Sequence, residues 1–445
     1  MFNQTFMHYG FTAELTLHGR KSYMRMNRFN KLALGITLLA CTLPAGLVAQ
    51  AADATPAPAA APAAAPAPPP NPLAGVEGFL SGVNMSGLVD VYYQYNSDNP
   101  KDGTFTTPFT PYNKQFALNL IEFQLDKPVD KTTPLGFRMT FGYGEAANVI
   151  NSTDTAIFLE CKNISGPPEG IGCDSTGTDY AKYLKEGYLS YFAPVGKGLQ
   201  IDVGKFVTPA GVEVIETNQN WNYTRGLLFS WAIPYYHMGV RAKYTFNDKL
   251  SVTGIVANGW NNILSTNSGK TFGFTGTYNA TKKIAISETY LTGPRDLLQD
   301  QNNGSWNNFS DTVVTFNPTA KLSLAGEFDY DHQGLSAAEA ESVGVPAADY
   351  TGFGAFAKYA VNTKWAAAGR YEYLNDHDGL AFFGPFHNHM YEVTGTLERT
   401  LAGHLITRLE YRFDHSNQPY FFEYGSDSAR GTQQTVTLGM VYALP

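Results

Sequence analysis

Charged residues in this chain recur at every second position, a spacing that suits a wetted wall better than a catalytic centre. Arg408, Glu410, Arg412 and Asp414 alternate with Leu409, Tyr411 and Phe413; Arg370 and Glu372, and Glu327 and Asp329, keep the same step. A two-residue period puts all the charges of such a run on one face of a strand. The same parity adds Asp90, Glu122, Asp202 and Glu392 to the acids, and Arg138, Arg241 and Lys243 to the bases. Charges lining an aqueous channel weight the passage of ions. Acids outnumber bases in this set, so the count predicts a weak cation preference unless neighbours pair across strands and cancel the field.

A second concentration of unusual residues lies between strands, at 208–236. It runs through Glu213, Glu216, Trp221, Tyr223 and Arg225, then Phe229-Ser230-Trp231-Ala232-Ile233-Pro234-Tyr235-Tyr236-His237. A loop facing bulk water has no reason to carry so many bulky apolar groups. Folded into a barrel mouth, those groups would pack on the wall while Glu213, Glu216 and Arg225 face the opening, with Trp221, Tyr223 and His237 nearby. That arrangement predicts a pore constriction; a wall-packed plug is the plainer alternative.

Other reactive groups give weaker patterns. His377, His387 and His389 share a segment with Asp376 and Asp378, a set able to ligate a transition metal if its geometry were fixed. Asp376-His377-Asp378-Gly379 lacks the full spacing of a calcium loop. His415-Ser416-Asn417 is the one local hint of a hydrolase, yet adjacent strand residues face opposite ways. Phosphate-binding glycine motifs, a serine elbow and Cys-x-x-Cys pairs are absent from the sequence. The expectation is therefore no catalytic residue, no cofactor and no metal.

The elements that would carry these residues are sixteen short segments from about Ser86 to Leu444. In 136–144, Phe137, Met139, Phe141 and Tyr143 alternate with Arg138, Thr140 and Gly142; in the last segment Val436, Leu438, Met440, Tyr442 and Leu444 alternate with Thr435, Thr437 and Gly439. Further strands are expected near 116–127, 181–193, 199–207, 237–247, 250–260, 271–279, 284–292, 309–317, 322–331, 350–361, 365–375, 389–399 and 405–414. Their lengths match what a tilted strand needs to cross a bilayer. Tight turns such as Asn247-Asp248-Lys249, Asn317-Pro318-Thr319 and Asn362-Thr363 alternate with long connections at 97–115, 147–180, 208–236, 261–270, 293–308, 332–349, 376–388 and 415–432. That alternation predicts an all-β transmembrane antiparallel barrel of about 16 strands, with short periplasmic turns and long extracellular loops.

Composition agrees. Aromatic content is 14%, with 27 Tyr, 29 Phe and 43 Gly among 445 residues, as aromatic girdles and close-packed strands require. Beyond the N-terminal region no run of 18 apolar residues supports a membrane helix. A basic stretch (Arg25, Arg28, Lys31), an apolar run (Leu32 to Val48) and Ala49-Gln50-Ala51 read as a cleaved signal peptide over 1–51, with a start at Met24 or Met26. Leu38-Leu39-Ala40-Cys41 offers a lipoprotein reading instead. Residues 52–77 are an Ala/Pro-rich periplasmic linker, and the barrel is placed at 78–445. The net charge of −8 grows more negative without the leader, which argues against nucleic-acid partners. Cys161 and Cys173 share one long loop and, in an oxidising envelope, are candidates for a disulfide.

Gly204 to Gly239, which includes G-K-F-V-T-P-A-G-V-E, N-W-N-Y-T-R and A-I-P-Y-Y-H-M-G, closely resembles the outer-membrane β-barrel porin family of the second type. Asn258-Gly259-Trp260-Asn261-Asn262, Gly293-Pro294, Arg370-Tyr371-Glu372-Tyr373 and Arg408 to Asp414 look like further landmarks, over about residues 85–444. Such porins usually end in an aromatic residue, whereas this sequence ends Tyr442-Ala443-Leu444-Pro445. The resemblance implies a bacterial outer-membrane porin, seated in the lipid bilayer by the barrel-assembly machinery. It would pass small hydrophilic solutes or ions, and family analogy suggests a homotrimer. The alternative is a non-conducting barrel acting as an adhesin through its long loops.

Overall fold

The computed structural model describes residues 81–100, 103–152, 154, 161–164, 170–173, 181–265, 269–295, 305–382, 387–422 and 429–444. The signal peptide and linker read from the sequence lie outside the described residues.

Sixteen antiparallel strands close into one barrel. They are Asn84–Asn96, Phe116–Lys127, Leu135–Tyr143, Leu184–Ala193, Leu199–Val207, Tyr236–Thr245, Leu250–Ala257, Thr271–Asn279, Ile284–Pro294, Trp306–Phe316, Leu322–Gly334, Ala347–Ala360, Trp365–Asp376, Asn388–Leu401, Leu405–Ser416 and Thr432–Leu444. The last strand returns to the first in a continuous register from Gly87 opposite Leu444 to Asn96 opposite Thr435. Closure leaves no sheet edge with unpaired backbone groups, which hydrocarbon would not tolerate.

The burial pattern is inverted relative to a water-soluble protein. Phe116 is 88% and Leu189 71% exposed, while Asp90, Asp329 and Glu372 are each 0% exposed. Apolar groups clothe the outside and charges fill the interior, as expected when the outer solvent is lipid.

Seven connections are short, and five of them use one device. A side-chain oxygen at the turn's start accepts the backbone N–H groups two and three residues on. Asp130 does this for Thr132 and Thr133 (2.6 and 2.7 Å), and Asn247 for Lys249 and Leu250 (2.9 and 3.0 Å). Thr281, Thr319 and Asn362 repeat it. These are the local hydrogen bonds that make Asp, Asn and Thr turn formers. The other rim carries the long connections. One holds the helix Glu145–Ser152 and a two-stranded ribbon in which Cys161 stands opposite Cys173 in register.

Strand boundaries differ from the sequence reading by a few residues. The strand expected at 250–260 stops at Ala257, because the chain turns at Gly259 (φ 158°) and Asn261 (φ 55°).

Candidate pore constriction

The segment 208–235 enters the barrel and is held there by charges of the inner wall, all but Asp311 among those that strand parity placed there. Its backbone is irregular, so its peptide groups need partners that no neighbouring strand provides. The wall provides them. Five loop N–H groups donate to four wall carboxylates: Gly211 to Asp311 (3.1 Å), Val212 to Glu327 (3.0 Å), Tyr223 and Thr224 to Glu410 (2.5 and 2.9 Å), and Leu228 to Glu372 (3.1 Å). Five loop carbonyls accept from three wall guanidinium groups. Arg408 serves Thr217, Asn220 (2.6 Å) and Asn222 (3.1 Å), Arg370 serves Thr224 (2.5 Å), and Arg412 serves Arg225 (2.7 Å). Hydrogen bonds to charged groups contribute about 1.5–3 kcal/mol each. An irregular segment can therefore remain fixed inside the barrel.

Side chains add to the seat. Tyr223 donates its hydroxyl to Asp90 at 2.5 Å, and Thr217 and Asn119 both donate to the other Asp90 oxygen at 2.6 Å. Glu213 pairs with Arg370 at 2.5 Å and accepts the Gly226 N–H at 2.6 Å. Glycine is required at two close approaches: a Cβ at Gly226 would strike the Glu372 carboxylate, and one at Gly439 would strike the Tyr223 ring.

Residues 212–218 alternate. Glu213, Ile215 and Thr217 are buried toward the wall, while Val212, Val214, Glu216 and Asn218 are half-buried and Gln219 is exposed. This corrects the expectation that Glu213, Glu216 and Arg225 all face the opening. Glu213 and Arg225 are only 4% and 1% exposed. A charge with partners within reach, on the wall for Glu213 and in the loop for Arg225, has no need of water. Arg225 lies 4.8 Å above the Phe109 ring and donates to the Ile215 carbonyl. Burial lowers its basicity against the opposing pull of Asp90, and burial raises the Tyr223 phenol well above its usual value, so it stays a donor. Glu216 takes the more open face and pairs with Lys185, which also holds Glu122 at 2.5 Å. Trp221 is half-buried. His237 is fully buried with Nδ1 3.1 Å from the Gly259 carbonyl.

The wall residues read from parity all belong to the inner face, but they divide into two groups. Asp90, Glu327, Asp329, Arg370, Glu372, Glu392, Arg408, Glu410, Arg412 and Asp414 are buried, most of them under the loop. On the opposite arc Arg138 keeps 33% and Arg241 22% side-chain exposure, and Lys243 is exposed. Their acids Asp126 and Asp202 sit at 2.9 Å. Counting acids against bases therefore overstates the negative charge that water can reach.

Sequence parity missed Lys185 and Asp311. Lys185 is the extra residue of a bulge: Thr140 faces Glu186, the next residue Phe141 faces Leu184, and so Lys185 and Glu186 both turn inward. Asp311 sits between Ser310 and Thr312, whose hydroxyls point outward to Glu288 at 2.7 and 2.5 Å. With polar groups on both faces, that strand shows no apolar alternation to read.

The weaker motifs resolve differently. Asn375 bonds both His377 Nε2 and His387 Nε2 at 2.8 Å, which occupies those ring nitrogens. Asp376 accepts the N–H groups of Leu380, Ala381 and Phe382 at 2.7–3.1 Å, capping its loop as a structural acceptor. Ser416 is buried and holds Asn388 at 2.9 Å, whereas His415 stacks on Tyr391 of the outer face.

A closed barrel, charged within and apolar without, with a long segment folded into its bore, defines an outer-membrane channel protein of the porin class. The family model described as "Putative beta-barrel porin-2, OmpL-like" matches residues 82–444, and the chain belongs to that family. No curated protein matches the sequence. Among solved structures, the chain is similar to an anion-selective porin from Comamonas acidovorans (11% identity, 81% of this chain and 99% of that one, TM-score 0.50). It is also similar to the outer membrane channel DcaP of Acinetobacter baumannii (12% identity, 81% and 97%, TM-score 0.50). At these identities the likeness is one of fold. Family and fold are those of a channel rather than an enzyme.

Proposed function

We propose that the protein is a passive diffusion channel for small hydrophilic solutes or ions, narrowed by the segment 208–235. The observation that carries this reading is the two-sided wall: one arc is consumed in seating the loop, and the other leaves Arg138, Arg241 and Lys243 in contact with water. The accessible charge favours anions weakly, which replaces the cation preference drawn from counting acids. Planar-bilayer recording under a salt gradient tests this. A reversal potential of the anion-selective sign supports it, and a cation-selective sign refutes it.

Assembly through the outer face belongs to the same reading. Glu288 lies near the middle of its strand on the outward side, opposite Gly276 and next to the cross-strand pair of Tyr290 and Phe274. A carboxylate facing hydrocarbon is unfavourable, and Glu288, Ser310, Thr312 and Asn308 form an outward polar patch that a second copy would cover.

A non-conducting barrel is favoured by one observation. Phe105, Phe382 and Tyr420, from three other loops, gather around Trp231 of the seated segment, with Phe105 stacked on Trp231 at 4.5 Å. Liposome swelling separates the readings: a sealed barrel admits no sugar.

A further inference from the structure

We infer that Asp311, Glu327 and Asp329 form a binding site for a hard divalent cation, calcium by its chemistry, at the point where the inserted loop meets the wall. Asp311 and Asp329 are opposite residues of adjacent strands, and Glu327 lies two residues before Asp329 on the same face. A carboxylate oxygen from each lies within 4.8 Å of the others, and the three residues are 1%, 3% and 0% exposed. Oxygens bound to one calcium ion at about 2.3–2.6 Å stand at most about 5 Å apart, so the spread fits a single ion.

The hydrogen bonding points the same way. One oxygen of Asp311 and one of Glu327 are occupied by the loop N–H groups of Gly211 and Val212. Among the described residues the remaining Asp311 Oδ2 and Glu327 Oε1 have no donor, and neither oxygen of the fully buried Asp329 has one. Asp311 and Asp329 are within hydrogen-bond reach of each other, so a metal ion or a shared proton must lie between them. Glu372 Oε1 is another fully buried oxygen without a donor among the described residues, and Glu372 stands opposite Gly354, which in turn stands opposite Glu327. The neighbouring cations are committed elsewhere: Arg370 to Glu213 and Glu392 at 2.5 and 2.6 Å, and Arg295 to Asp331 at 3.4 Å. The residues opposite Asp329 and Glu327 on the next strand are Gly352 and Gly354, which bring no side chain to compete. Buried carboxylates need a paired charge, a metal or a proton. An all-oxygen donor set without nitrogen or sulfur suits calcium or magnesium over transition metals. Bound there, the ion would tie two wall strands to the loop at Gly211-Val212. The inference does not depend on conduction.

The test uses the full barrel chain refolded into detergent, free of lipopolysaccharide, and titrated with calcium chloride by calorimetry after chelator treatment. Wild type should take up about one calcium ion per chain. Asp329→Asn, which breaks no loop contact, should weaken uptake at least tenfold, and Asp311→Asn should weaken it as well. Asp130→Asn, in an exposed turn, should change nothing. Thermal unfolding supplies a signature of opposite sign: without calcium Asp329→Asn should be the more stable protein, and with calcium the less stable. Wild type that binds no stoichiometric calcium overturns the proposal whatever the variants do. Uptake undiminished in Asp329→Asn also overturns it and leaves the carboxylates held by shared protons.

Discussion

Arg370 on the barrel wall reaches Glu213 on the inserted loop at 2.5 Å and, through the other side of its guanidinium, Glu392 at 2.6 Å. One fully buried cation thus joins the loop to the wall, and its loss leaves Glu213 without an ion pair and Glu392 with Arg412 alone, at 3.8 Å. Removing one partner of a buried ion pair typically costs about 3–5 kcal/mol. Arg370→Ala should fall in that range in denaturant unfolding from detergent and should raise single-channel conductance by loosening the loop. Glu213→Gln should do less of both, because Arg370 retains Glu392. Equal conductance in wild type and a folded Arg370→Ala variant would count against a loop that narrows the passage.

Tyr223 and Gly439 offer a second check on the loop's seat. Tyr223→Phe removes a hydrogen bond to the Asp90 carboxylate, a loss of about 1.5–3 kcal/mol, while the ring still packs. Gly439→Ala places a methyl group where the ring now lies and should destabilise to a similar degree. Combined with Tyr223→Ala, the Gly439 substitution should cost little more than Tyr223→Ala alone, because the obstacle has gone. A double-mutant cycle measures that coupling, and strict additivity would place the ring elsewhere.

Selectivity should follow accessible charge rather than total charge. Replacing Arg138 and Lys243 by Gln should move the reversal potential toward cations, since both contact water. Asp414→Asn should leave it nearly unchanged, because Asp414 is buried against Arg412 at 2.7 Å. If the buried substitution shifts the potential as much as the exposed pair, the division of the wall into two arcs is wrong.

Strand parity was a good guide wherever lipid and water demand opposite residues. In Leu405–Ser416 every charge falls inside and Leu409, Tyr411 and Phe413 fall outside. It failed where a bulge admits an extra residue, as at Lys185, and where the outer face is itself polar, as around Asp311. The loop was legible as an insertion because its apolar content has no place in water. Its charge pattern was not, since 212–218, which runs into the 3₁₀ turn Thr217–Gln219, buries every second residue. Nor does sequence order reveal that wall charges are spent on a loop's peptide groups; that follows only from bringing Glu410 beside the backbone of Tyr223 and Thr224.

Glu288 gives the sharpest test of assembly. Its carboxylate is half-buried on the outer face, held by the hydroxyls of Ser310 and Thr312. If a second copy covers this patch, Glu288→Leu removes polar contacts between copies while making the isolated barrel better suited to lipid. The variant should therefore run as a monomer in native electrophoresis or light scattering from mild detergent, where wild type runs as an oligomer. Its heat-induced barrel unfolding should be unchanged or raised. A variant that keeps the wild-type oligomer would show that the interface lies elsewhere on the outer face.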